Sequence, residues 1–150
     1  MRFFGETGAM SNLARAIEIA ATAHRDQKRK DGSPYILHPL RLMFKVDGVI
    51  EQMAAVLHDV VEDTDWTLEQ LEDESFPREL IAVIDLLTHR DDVSYDDYIQ
   101  KISTNPIATR VKLADLTDNL NILEIPELSK RDLERAEKYH KYHRQLSELN

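Results

Sequence analysis

Apolar residues recur along this chain at intervals of three and four, and the strict alternation of a half-buried strand is missing. The pattern predicts helices throughout. Ser11 is placed to cap a first helix running to about residue 26. A loop over 28–37 follows, holding Gly32 and Pro34. His38-Pro39 opens a second helix, since proline is tolerated at a first helical position, and Asp47-Gly48 ends it. A third helix covers roughly 50–62, and Thr64 or Asp65 caps a short one reaching residue 74. Further helices are expected near 78–89, 94–103, 106–123 and 131–149, with Asn105-Pro106 a strong start signal. The expected architecture is all-α: a bundle of about seven to eight helices with a long closing helix, forming a single domain over residues 1–150. Trp66 and Phe76 are expected to pack among the helices.

Composition narrows the chemistry. The chain contains no cysteine, which excludes disulfides, thiolate metal sites and a cysteine nucleophile. No apolar run reaches the ~20 residues that span a bilayer. The start Met1-Arg2-Phe3-Phe4-Gly5 lacks the apolar stretch of a secretory leader, so cytoplasmic residence is the expectation. The net charge of −9 disfavours nucleic acid and anionic lipid as partners, and neither is expected. Against that background, the basic run Lys28-Arg29-Lys30 stands out.

The third predicted helix carries the most informative polar face. At 100° per residue, Met53, Ala54, Leu57, Val60 and Val61 share one side, while His58, Asp59, Glu62 and Asp63 share the other. An acidic helix face is most often simply solvated. Three carboxylates this close repel one another unless a cation sits among them, however, and the neighbouring imidazole adds nitrogen to an oxygen ligand set. One helix rarely completes a metal site. His38 and the helix bearing Lys112, Asp115 and Asn119 are the candidates to contribute, although Asp115 could equally form an ion pair with Lys112 or Arg110. His24 is expected to be structural. His89, His140, His143 and the acidic run Asp91-Asp92 to Asp96-Asp97 are expected to be solvated.

Taken together, three segments carry a resemblance. The run from Ala23-His24-Arg25 through Arg29-Lys30-Asp31-Gly32-Ser33-Pro34-Tyr35 to His38-Pro39 resembles the opening motif of the hydrolase domain of RelA/SpoT homologues. These are members of the His-Asp (HD) phosphohydrolase superfamily. Leu57-His58-Asp59-Val60-Val61-Glu62-Asp63-Thr64 looks like the central motif, and Val111-Lys112-Leu113-Ala114-Asp115 with Asn119-Leu120 like the last metal motif. They fall in the family's order and span most of the chain, which is similar in extent to the small hydrolase-only members such as the metazoan SpoT homologue.

The resemblance implies an HD-type helical bundle and hydrolysis of the alarmones (p)ppGpp, releasing 3′-pyrophosphate with a bound Mn²⁺. It implies that His38, His58, Asp59 and Asp115 hold the metal, and that Glu62 and Asp63 orient and deprotonate the attacking water. It also implies that Arg29, Lys30 and Asn119 meet the nucleotide. Arg135 and Tyr139 match the spacing of a phosphate-contacting pair, and equally that of a surface pair packed on the bundle. Two His with oxygen ligands favour Mn²⁺ over a structural Zn²⁺.

The chain departs from the family pattern at Leu116, Asp118 and Ile122, and Asp118 is expected to add negative charge where a nucleotide lies. Other readings are a phosphohydrolase for another nucleotide such as NADPH (at its 2′-phosphate), a nucleotide sensor without turnover, and a helical interaction domain. An intact Glu62-Asp63 pair weighs against a pure sensor. The sequence allows a homo-oligomer.

Overall fold

The computed structural model describes residues 11–149; the segment Met1 to Gly5 lies outside the described residues. Among the described residues there are nine α-helical segments, and no strand is formed. They are α1 (Leu13–Ala23), α2 (Leu37–Lys45), α3 (Val49–Leu57), α4 (Val60–Asp63), α5 (Leu68–Asp73), α6 (Arg78–Leu87), α7 (Tyr95–Ile102), α8 (Pro106–Asn119) and α9 (Lys130–Ser147). A 3-10 turn, Ile122–Glu124, follows α8. The all-α bundle expected from the periodicity is the fold observed.

The middle of the bundle is α3, which packs against α1, α2, α6 and α8. Its residues Met53 to Leu57 are all buried, a run of apolar positions that turns every side of the second half of the helix into the core. Leu42, Leu71, Leu80, Ile84, Ile99, Ile102 and Leu116 complete the core from the surrounding helices. Phe76 is buried with them, and Trp66 packs half-buried against the same cluster.

Four expectations about local structure are corrected. The first helix is capped by Asn12, whose side chain accepts from the Arg15 N–H, and not by Ser11. The Ser11 hydroxyl instead donates to the Glu74 carbonyl and ties α1 to the end of α5. The short fifth helix is capped by Thr67, which forms a capping box with Gln70, and not by Thr64 or Asp65. The last helix of the metal motif ends at Asn119 and passes into the 3-10 turn.

The fourth correction matters most. The third predicted helix is interrupted: α3 ends at Leu57, Asp59 sits at φ −106°, ψ 0°, and α4 starts at Val60. The chain resumes through the Asp63 N–H bond to the Asp59 carbonyl, 2.9 Å. Counting α3 and α4 as one broken helix gives eight.

The loop between α1 and α2 folds back on itself. Lys28 and Pro34 form an isolated antiparallel bridge. The Gly32 N–H bonds the Arg29 carbonyl at 2.9 Å, and Gly32 takes φ +82°, a value that favours glycine. The tight turn thereby presents Arg29 and Lys30 at its tip.

Candidate active site

Three of the four candidate metal ligands form one compact group. Nitrogen and carboxylate oxygen atoms of His38, His58 and Asp115 all lie within 4.8 Å of one another, and all three residues are buried. His38 Nε2 is 3.0 Å from Asp115 Oδ1, and His58 Nε2 is 3.5 Å from the same oxygen. Asp59, the fourth, joins through His58: its Oδ2 lies 2.9 Å from His58 Nε2. Asp59 also groups with Glu62 and Asp63 within 4.8 Å, so it stands between the His-rich group and the acidic pair. The interruption after Leu57 places Asp59 there, outside both helical segments.

The donor set fits a divalent cation. His58 Nδ1 faces the Ala55 carbonyl at 2.7 Å and donates to it. In the neutral imidazole the lone pair is then on Nε2, a buried atom with no hydrogen-bond partner, aimed at two carboxylates. Lone pairs facing lone pairs in a buried site call for a cation between them. Ligands ~2.1 Å from one ion at near-octahedral or tetrahedral angles are separated by about 3.0–3.4 Å, close to the spacings found here.

Without an ion, the same carboxylates draw positive charge onto their neighbours. Burial opposes ionisation of Asp115, but Lys112 and the two imidazoles outweigh it and hold its carboxyl well below the usual range. Burial likewise opposes a charge on His58, yet Asp59 and Asp115 raise its pKa well above the ordinary value. The Asp115–Lys112 ion pair considered from sequence does form, at 2.8 Å, in addition to the imidazole contacts; Arg110 instead pairs with Glu51.

Glu62 and Asp63 project from α4 into an open cavity of about 420 Å³, within the range of small-molecule sites. Burial of their carboxylates and then the charge of Asp59 raise the pKa of both. Glu62 accepts from the His89 N–H at 2.6 Å.

The cavity also brings together every other residue singled out for substrate. Arg29, Lys30, Asn119, Arg135 and Tyr139 all line it. Arg29 donates to Asp118 at 3.2 Å and to Asn119 at 3.1 Å, and Lys30 pairs with Asp132 at 2.6 Å. Asn119 reaches back with its amide to Asp115, 3.0 Å. Arg135 donates to the Tyr139 hydroxyl at 3.3 Å.

Several cavity residues were not picked out from sequence. The Tyr35 hydroxyl donates to Asp59 Oδ2, and burial together with that carboxylate pushes the phenol far above its ordinary pKa. Tyr35 lies inside the opening motif, where its Pro34-Tyr35 context was the available signal. His89, expected to be solvated, is half-buried; its ring meets Tyr98 at 4.8 Å and it lines the cavity. Lys138 sits 3.9 Å over the Tyr95 ring and adds a cation to the same wall. His24 is buried, with Nδ1 2.8 Å from Gln27 Oε1 and its ring 4.8 Å from Tyr35.

Asp118 departs most from expectation. It does not lie free against the nucleotide space: it is buried, and Arg29, Arg41 and Lys45 surround it at 3.2, 2.8 and 3.5 Å. Burial disfavours its charge, but the bonds from His38 and Arg41 hold the carboxyl far below the usual range.

A helical bundle that gathers two His, a neighbouring Asp and a distant Asp beside a cavity has the arrangement of an HD-type, metal-competent site. No family model matches the chain. It is 34% identical over 131 residues to guanosine-3′,5′-bis(diphosphate) 3′-pyrophosphohydrolase of Aquifex aeolicus, covering 79% of this chain but only 19% of that protein's length. It is 36% identical over 128 residues to guanosine-3′,5′-bis(diphosphate) 3′-pyrophosphohydrolase MESH1 of Mus musculus, covering 75% of this chain and 70% of that one. A solved structure described as a metazoan orthologue of SpoT that hydrolyses ppGpp superposes with TM-score 0.73 and 26% identity, over 95% of this chain and 87% of that one. The chain belongs to the RelA/SpoT homologue hydrolase family and is of the HD type represented by the metazoan SpoT homologue.

Proposed function

We propose that this protein is a cytoplasmic hydrolase that removes pyrophosphate from the 3′ position of guanosine 3′,5′-bis(diphosphate) and its pentaphosphate, using one bound Mn²⁺. The observation that carries the reading is the meeting of two groups, His38, His58 and Asp115 with Asp59, Glu62 and Asp63, beside a cationic cavity rim. His38, His58, Asp59 and Asp115 hold the ion. When bound, it supplies Lewis-acid stabilisation of charge developing on a phosphoryl oxygen.

The remaining work falls to the chain's own side chains. Glu62 and Asp63 orient a water and take its proton as its oxygen adds to the phosphorus on the ribose 3′ oxygen. The bond to that 3′ oxygen breaks, and the oxygen leaves as a hydroxyl, taking up the proton that the acidic pair removed from water. Carboxylates with raised pKa are better proton acceptors than ordinary ones, because base strength follows pKa. Arg29 and Lys30 bind phosphate oxygens, exchanging their ion pairs with Asp118 and Asp132 for the substrate. Arg135, Tyr139 and Asn119, which line the same cavity, orient the nucleotide.

The test is a panel of guanosine tetraphosphate, its adenosine counterpart and NADPH, incubated with Mn²⁺-loaded protein and scored for pyrophosphate or phosphate. Guanosine tetraphosphate should be cleaved preferentially, with the preference lost in Arg29→Ala. Dephosphorylation of NADPH without alarmone cleavage would overturn the substrate assignment and leave the metal site standing.

A further inference from the structure

Both ring nitrogens of His38 face carboxylates. Nε2 points at Asp115 in the proposed metal site, while Nδ1 lies 2.6 Å from Asp118 Oδ2 on the far side of the ring. His38 and Asp118 are both buried, at 2% and 8% exposure. The other contacts of Asp118 fix the direction of this bond. Arg41 donates to Oδ1 through Nε at 2.8 Å and to Oδ2 through Nη2 at 3.0 Å. Arg29 donates to Oδ2 at 3.2 Å, and Lys45 stands 3.5 Å from Oδ1. A carboxylate that accepts from two guanidinium groups is an anion with no proton to give. The proton in the short contact therefore belongs to His38 Nδ1, which leaves Nε2, facing Asp115, as the nitrogen available to ligate a metal.

We infer that Asp118 is a positioning residue for the metal centre, locking the ring orientation and tautomer of His38 so that Nε2 is presented as a ligand. The inference rests on the reading of His38 as a metal ligand. A carboxylate behind a ligating imidazole fixes the ring and raises its basicity, and losing such a partner lowers metal affinity by about 10- to 100-fold. His58 is held the same way by a backbone carbonyl, that of Ala55, so the two imidazoles have different rear partners. Only the His38 partner is a side chain, and it is one that departs from the family pattern. Through Arg29, the same carboxylate joins the cavity rim to the metal floor.

The experiment measures Mn²⁺ affinity of the full chain from the free-ion signal in electron paramagnetic resonance. It pairs this with long-range ¹H–¹⁵N spectra of the metal-free protein, which identify the protonated nitrogen of His38. Asp118→Ala should weaken Mn²⁺ binding about 10- to 100-fold and remove the Nδ1–H signature. Asp118→Asn, whose amide oxygen can still accept from Nδ1, should restore most of both. Removing Asp118 leaves Arg41 partnerless, so Asp118→Ala/Arg41→Met is made alongside to protect the fold. In that double variant, stability should recover while metal affinity does not.

Affinity that recovers together with stability, or that stays within twofold of wild type in Asp118→Ala, would overturn the positioning role. His38→Ala separates the two readings. If it leaves Mn²⁺ binding intact, the metal reading fails. If it abolishes binding while Asp118→Ala does not, only the present inference fails.

Discussion

Glu62 and Asp63 differ from the other acidic residues of the site in what surrounds them. Asp115 has Lys112 and two imidazoles, and Asp59 has His58 and the Tyr35 hydroxyl. Glu62 has a single backbone N–H, from His89, and Asp63 faces the cavity. On the proposed reading the first two are ligands and the second two are bases. Glu62→Gln and Asp63→Asn should each leave Mn²⁺ content nearly unchanged and lower turnover by ~10²-fold or more, the usual scale for a lost general base. The check is kcat beside metal stoichiometry on the same preparation, and turnover at the wild-type rate in both variants would refute the assignment. At this scale the sequence was informative because each candidate sits in a motif with local spacing. Asp118 was misread for the same reason. Its partners Arg41 and Arg29 lie 77 and 89 positions away, and no local pattern reports that three cations will close around it.

The helices were legible where the period and the end signals agreed. Asn105-Pro106 marks the start of α8, and the Asn105 side chain does accept from the Ile107 and Ala108 N–H groups at 3.0 and 3.1 Å. Because α8 carries Lys112, Asp115, Asp118 and Asn119, this cap fixes the first turn of the element that positions the site floor. Asn105→Ala should cost about 1 kcal/mol of stability, the typical loss for such a cap. Chemical denaturation measures it. Mn²⁺ affinity should change little, since Asp115 lies more than two turns further along. An affinity loss as large as that of a ligand variant would mean the helix start and the site are coupled.

The break between α3 and α4 was illegible, because Leu57, Val60 and Val61 keep the apolar period across it. Asp59 adopts a backbone conformation open to any residue, so no glycine or proline announces the interruption. At the break the Asp59 carboxylate meets its neighbour His58 and the Tyr35 hydroxyl of the α1–α2 loop, partners that the apolar period does not report.

Across the whole molecule the net charge of −9 is distributed unevenly. Cations are concentrated at the cavity rim and around Asp118, while Asp59, Glu62 and Asp63 crowd one another at the floor. The two sets of carboxylates contribute to stability with opposite sign. Asp115 and Asp118 have folded pKa values below those of the unfolded chain. Their contribution is favourable, present above about pH 4, and lost as the pH falls through the folded values. Glu62 and Asp63 have folded values above the unfolded ones, from burial and the charge of Asp59. Their contribution is unfavourable above the raised values, and it disappears once the pH is below about 4, where both states are protonated.

The acidic pair proposed as the base therefore weakens the metal-free fold at neutral pH. The double variant Glu62→Gln/Asp63→Asn should melt at a higher temperature than wild type in chelator at pH 7. Its advantage should shrink as the pH falls through the raised pKa range and vanish below about pH 4. Saturating Mn²⁺ should narrow the gap at pH 7, because a divalent ion beside Asp59 relieves the repulsion that the substitutions remove. Melting curves over that pH range, with and without metal, decide the matter. A metal-free double variant that is less stable than wild type at pH 7 would show that the pair supports the fold instead of straining it.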